Sequence, residues 1–329
     1  MTQTREKLID LRDTGLTEEE LFTHIPQDTS AVEHIDAPRY SYWRSVFRVF
    51  FSKKLNVIAI LLLAVVLVFT YIYPMFITFN KYENIMDPYA KHLTPSAAID
   101  KFGFELRWIF GTGESGQSTF DGIWYGARIS ISIALICTAI NYTIGILLGA
   151  LWGFAKKVDV VMNEIRNVIA VVPGTLITSV MVLTFSPSMS TLIFAMCVTG
   201  WIGIAYSMRT QVIIIRDREY NLASKCLGTS TFNIATKNIL PYLISFIVTM
   251  MASTIPGYIG TEAFLSYIGL GISDTTLGKI INTAQGALNV PGWEWEFWCP
   301  VMLSAFISIV LFLVGQGLGD AADPRTHML

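Results

Sequence analysis

Long apolar runs alternate along the chain with shorter polar stretches. The runs fall at about 55–77, 128–154, 168–185, 189–206, 242–267 and 298–318. A spanning helix needs roughly 20 mostly apolar residues, so six transmembrane helices are predicted. Pro173-Gly174 interrupts the third run, and Pro256-Gly257 predicts a break in the middle of the fifth. Such breakers are tolerated in a membrane where neighbouring helices satisfy the freed backbone groups. The fold class that follows is an all-α integral membrane protein.

Ahead of the first run, Trp43, Val46, Phe47, Phe50 and Phe51 recur at helical spacing, with Arg44 and Arg48 on the other face. Two readings stand: an amphipathic helix at about 40–52 lying in the inner interface, or an N-terminal extension of the first span. Residues 1–38 are polar and acidic, as in Thr17-Glu18-Glu19-Glu20, and show no secretory signal. They form a tail, and residues 39–329 form the membrane domain.

Composition agrees with the pattern. Of 329 residues 53% are hydrophobic and only 15% charged, against about 25% charged in a typical soluble domain. Mean hydropathy is +0.52. A disordered chain, a nucleic-acid binder and most soluble enzymes are excluded. The formal net charge of −2 conceals an uneven layout. With the N-terminus in the cytoplasm, 17 basic residues fall in inside segments and six outside. The positive-inside rule then places both termini in the cytoplasm, together with the loop between spans four and five.

Several motifs match enzymes only literally. Gly111-Thr-Gly113-Glu-Ser-Gly116 fits GxGxxG but lies in a loop between two spans, not in a βαβ unit. Gly317-Leu-Gly319-Asp320 fits the GxGD string of intramembrane aspartyl proteases. No second Asp lies within the predicted spans, and acid–base proteolysis needs the pair. His24, His34, His92 and His327 lie outside the spans, and no Walker A string occurs. Cys137, Cys197, Cys226 and Cys299 lack metal-ligand spacing. No catalytic residue and no metal site are therefore assigned, and no cofactor is expected on this chain.

Gly145, Gly149 and Gly153 form a tandem GxxxG ridge, which lets another helix approach closely, either in the same chain or in a partner. Asn141, Thr178, Ser179, Thr249 and Ser253 are the polar candidates for a translocation path. Glu262 is the one acidic residue within the predicted spans, and intramembrane carboxylates usually carry a role. Both peptide contact and a structural hydrogen bond fit it. Trp293, Trp295, Phe297 and Trp298 form an aromatic belt, with Glu294 and Glu296 as a solvated rim or a contact surface.

The loop between spans four and five is the most informative segment. Glu219, Leu222, Ala223 and Cys226 share a helical face, Gly228 is placed to end the helix, and Thr229 or Ser230 can cap a following one. The residues alone leave two readings open, a docking surface for a soluble partner or an ordinary amphipathic connector.

The same loop resembles the "EAA" coupling motif of ABC importer permeases. Phe110-Gly-Thr112, Gly116 and Tyr125 to Ser130 are similar to the segment before span two in the C-type oligopeptide and dipeptide permeases. Glu262 to Gly271 resembles that family's ExxLSFLGLG stretch, and Leu313 to Arg325 its LLGDGLRDALDPR ending. The order is conserved over about residues 40–329. The resemblance implies an ABC-type permease domain that forms half of a translocation path for oligopeptides or dipeptides. It implies a second, related permease, two cytoplasmic ATPases that use ATP and Mg, and an extracytoplasmic substrate-binding protein. The setting implied is a bacterial or archaeal inner membrane. Coupling would fall to Glu219, Leu222, Ala223, Ser224, Lys225, Leu227 and Gly228. Related permeases carry nickel complexes or glutathione, which are the alternative cargoes. A membrane enzyme or passive channel is the rival class.

The chain departs from the family pattern mainly at charged positions. Leu222 stands where the motif has its acid and Ser224 where it has its second Ala, with Glu219 one turn earlier as a substitute acid. Gly113, Gln117 and Ser118 replace two Asp positions and an Arg, and Leu277 replaces a Trp. Gln316 and Gly319 replace an Asp and an Arg. These changes imply altered partner or receptor contacts.

Overall fold

The computed structural model describes residues 42–323. The acidic tail, Arg39, His24, His34, His327 and the Pro324-Arg325 end of the last motif lie outside the described residues.

The first helix, α1 (Tyr42–Ser52), is separate from the first span. Lys53 is extended (φ −89°, ψ 117°) and divides it from α2, which runs Lys54–Phe76 through one π-turn. The predicted apolar stripe of α1 splits. Val46 and Phe50 are buried against Val314, Ala321 and Ala322, while Trp43, Phe47 and Phe51 face outward. The extension reading is thereby corrected.

After a loop region containing α3 (Pro95–Phe102), the chain enters α4 (Thr119–Phe154), 36 residues long. It begins well before the predicted Arg128 because Ser118 caps it, its hydroxyl accepting from the Asp121 N–H at 3.1 Å.

The predicted third span is not one helix. α5 (Lys156–Ala170) and α6 (Gly174–Thr184) are bent by 72° at the break. Pro173 has no N–H to donate and pushes the residue before it out of the helical region, so the helix stops short of it.

α7 (Met189–Arg216) continues ten residues past the predicted end at Tyr206. The short helix α8 (Glu219–Cys226) follows, and then α9 (Ile244–Tyr267). The predicted break at Pro256-Gly257 is absent: α9 runs straight through Pro256. The surrounding helices hold it on two sides. The Tyr142 and Thr254 hydroxyls lie 2.9 Å apart, and Ala252 packs where Gly315 has no side chain. α10 (Leu277–Thr283) and α11 (Trp295–Ala322) complete the fold.

Among the described residues five helices are long and apolar enough to cross a membrane, or six if the bent pair counts as one span. Helix α4 and helix α7 run in the same direction. Gly145, Gly149 and Gly153 meet, in that order, Trp201 and Ile204, then Ala205 and Met208, then Arg209 and Val212. The intervening α5–α6 pair must therefore return the chain to its starting side. α9 and α11 are antiparallel, with Ala252 against Gly315 and the Ser245 hydroxyl donating to Gly319 O at 3.0 Å. α2 starts beside the end of α11, where Asn56 meets Gly317 and Lys53 lies 3.8 Å from Asp320.

Candidate coupling site

α8 is ended by backbone geometry. At its C-terminus Gly228 takes φ +82°, the left-handed conformation that costs a side-chain-bearing residue about 1–2 kcal/mol. This turn lets Gly228 N–H donate to Lys225 O at 3.0 Å and Thr229 N–H to Ser224 O at 3.1 Å. The pair is a Schellman cap that satisfies two of the last carbonyls. Ser230 then caps the next turn, accepting from Asn233 N–H.

Two asparagines tether the helix. Asn221 is 2% exposed, and its amide donates to Ile215 O at the end of α7 at 2.9 Å. Asn238, on the approach to α9, donates to Asn221 Oδ1 at 3.2 Å and lies 3.4 Å from Ser224 Oγ. Sequence reasoning missed both, because their meaning rests on contacts that helical periodicity does not show. The opposite face is open. Glu219, Leu222, Ala223, Lys225, Cys226, Leu227 and Gly228 are all exposed, Leu222 at 47% and Leu227 at 86%; Phe232 adds an exposed ring beyond the cap. α8 is thus held by a polar inner side and presents a largely apolar outer side.

A charged clamp ties the neighbouring helices together. Arg209 on α7 grips Asp159 on α5 through two bonds, of 2.6 and 2.9 Å. Asp159 also accepts from Trp152 Nε1 at 2.8 Å and from Asn163 at 2.7 Å. Arg216 donates to Gly153 O at 2.6 Å, closing the end of α4. Bidentate arginine–carboxylate pairs fix geometry as well as charge. Nothing in the sequence pairs these residues, since 50 positions separate Asp159 from Arg209.

The path candidates scatter. Asn141 is buried and its amide donates to the Tyr258 hydroxyl at 2.6 Å. Thr178, Ser179 and Thr249 donate to carbonyls one turn back in their own helices, and Ser253 to Met250 O three residues back. Ser253 shares an open face of α9 with Gly257 and Gly260. Glu262 is 0% exposed, and its two oxygens accept from Ser130 and Ser266, each at 2.7 Å. Ser130 Oγ in turn accepts from Leu277 N–H at 3.2 Å. Glu262 thereby joins α4, α9 and the start of α10. Glu262→Ala is expected to strand buried hydroxyls, at about 1–3 kcal/mol for each unsatisfied group. A thermal unfolding series in detergent should show a lower midpoint for Glu262→Ala and a near-native one for Glu262→Gln.

The other motifs take structural places. Gly111 and Gly116 lie in positive-φ turns, and Thr112 and Ser118 form an isolated bridge ahead of α4. Glu296 is not part of a solvated rim. It is buried and lies 2.7 Å from His92, whose ring stacks on Trp293 at 3.7 Å.

Residues 141–328 match the family model described as "Binding-protein-dependent transport system inner membrane component". Residues 41–95 match that of the "N-terminal TM domain of oligopeptide transport permease C". Among relatives, the chain is 44% identical over 314 residues to the oligopeptide transport system permease protein AmiD of Streptococcus pneumoniae, covering 94% of this chain and 98% of that protein. It is 31% identical to the dipeptide transport system permease protein DppC of Bacillus subtilis, with 93% of each chain covered. It is 30% identical to the oligopeptide transport system permease protein OppC of the same organism, covering 93% of this chain and 97% of that protein.

Proposed function

This chain belongs to the binding-protein-dependent transport system inner membrane components, as a permease subunit of a peptide importer, and from that premise we propose that α8 is the surface on which a cytoplasmic ATPase docks. The observation that carries this reading is the asymmetry of α8: tethered inside by Asn221 and Asn238, open and apolar outside at Leu222 and Leu227. Hydrolysis of ATP with Mg belongs to two such partner subunits. The chain supplies half of the membrane path, a second related permease the other half, and an extracytoplasmic binding protein delivers cargo.

A push on α8 passes to α7 through the Asn221 amide and Ile215 O. α7 and α4 then move together, because the glycine ridge leaves no slack between them. The Asp159–Arg209 clamp carries α5 along. Such rigid-body rocking between two packings is a common form of switching, and here it alternates outward and inward access. Ser253 and the open face of α9 contribute to the path, with Ser179; Asn141, Thr178 and Thr249 support it from behind. Glu262 acts as a structural lock.

Leu222 replaces the acid of the family motif, so docking here relies on apolar burial more than on an ion pair. Six crossings with both termini in the cytoplasm complete the reading. Its support is the basic bias of the sequence and the parallel course of α4 and α7.

Cargo is tested with the assembled complex and a loaded binding protein. ATP hydrolysis should be stimulated by oligopeptides or dipeptides and not by nickel complexes or glutathione. Stimulation by the latter alone would assign the same architecture to a different solute.

A further inference from the structure

A cavity of about 380 Å³ lies beside α8, between the end of α4, the start of α5 and the end of α7. Three cations line it from three different elements: Lys156, Arg216 and Lys225. Asp217 is the acidic residue in the lining. It is engaged by Arg216 Nε at 3.2 Å and otherwise faces solvent. Neither Lys156 nor Lys225 has an ion-pair partner among the described residues. With three cations against one carboxylate, the lining favours an anionic guest.

Depth narrows the choice of anion. Phe154 and Arg216, both in the lining, are the last residues of two helices of bilayer length. Both helices, of 36 and 28 residues, outrun the roughly 20 residues a crossing needs, so the cavity lies at or beyond the membrane face, level with the start of α5. α5 starts there with Lys156 and Lys157 and exposes Val160, Val161 and Val168. A basic start and exposed apolar residues suit the membrane face, and the 72° break sets α5 at a steep angle to α6. Leu227, the C-cap residue of α8, is 86% exposed, whereas Phe154, Leu222 and Ile234 supply the apolar part of the cavity lining.

We propose that this cavity holds the phosphate headgroup of an anionic phospholipid, which braces α8 along its Asn221 and Lys225 side. Basic pockets between spanning helices on the cytoplasmic side recognise such headgroups. The binding claim stands on the cavity alone. Its consequence for transport rests on the reading of α8 as the coupling helix.

The test uses the complete complex in nanodiscs of phosphatidylcholine containing about a quarter phosphatidylglycerol. Native mass spectrometry counts the phosphatidylglycerol retained after release. The wild type should hold a molecule that phosphatidylcholine does not displace. Lys156→Gln with Lys225→Gln should lower retention about tenfold or more, and Lys156→Arg should keep it. Added inorganic phosphate should not displace the lipid. Equal retention in the double glutamine variant overturns the proposal. So does displacement by inorganic phosphate, which marks a site for free anions. Loss of ATPase co-purification with lipid retention unchanged also overturns it, since the lysines then serve an acidic surface of the ATPase. If the double variant loses lipid while transport is unaffected, the headgroup site stands and the coupling role of α8 fails instead.

Discussion

Replacing Gly149 with leucine is expected to eliminate most of the folded permease. A Cβ at this position would lie 2.5 Å from Ala205 O, 2.6 Å from Met208 Cβ and 3.0 Å from Ala205 Cα. Two of those three atoms are backbone, so no side-chain rotation relieves the clash. Overpacking a core costs about 1–3 kcal/mol when side chains can yield, and here two long helices must part. The same separation would pull Gly145 from Ile204 and Gly153 from Val212. Yield of monodisperse protein in detergent should fall at least tenfold, against a control at Gly203, where an added Cβ meets nothing within 4 Å. Equal yields from Gly149→Leu and Gly203→Leu would show that the α4–α7 contact is not a close one.

Leu227→Asp is expected to stop transport without unfolding anything. Leu227 is 86% exposed, so its loss removes no internal contact. Burying a leucine against a partner contributes about 1.5–3 kcal/mol, roughly a ten- to hundredfold change in affinity. Aspartate adds the cost of desolvating a charge. The ATPase should co-purify at least tenfold less, and peptide uptake should fall with it. The melting profile of the permease should be unchanged. Gly228→Val should act in the same direction by a different route, since valine resists φ +82° and the Schellman cap would loosen. Normal uptake in a well-expressed Leu227→Asp variant would sink the docking assignment.

The apolar pattern alone located the long helices, because hydrocarbon-length runs are a strong local signal. It failed where long-range contacts decide. Pro173 and Pro256 look alike in sequence, yet one separates two helices by 72° and the other lies inside an unbroken helix. The difference is that Ala252 and Thr254 are held by α11 and α4, whereas α5, just ahead of Pro173, has no buried residue. The coupling loop was legible as a helix with a glycine stop. Its tether was not, because Asn221 and Asn238 read as ordinary polar residues until Ile215 O is placed beside them. Glu262 stood out by its charge in an apolar run, and Ser266 lies one turn on in the same helix, but its other serine partner, Ser130, lies on α4, 132 residues away. Glu296 sat in an aromatic belt that suggested solvent, while His92, 204 residues away, covers it.

The exposed thiol of Cys226 allows the most direct test of the coupling claim, because it sits on α8 itself, whereas Cys137 is buried. With Cys197 and Cys299 replaced by serine, a membrane-impermeant maleimide is applied to vesicles of each orientation. Cys226 should label in inside-out vesicles stripped of ATPase, become protected when the ATPase subunits are added back, and stay unlabelled in right-side-out vesicles. Labelling from the outside, or labelling that the ATPase leaves unchanged, would contradict the assignment of α8 as the cytoplasmic coupling helix.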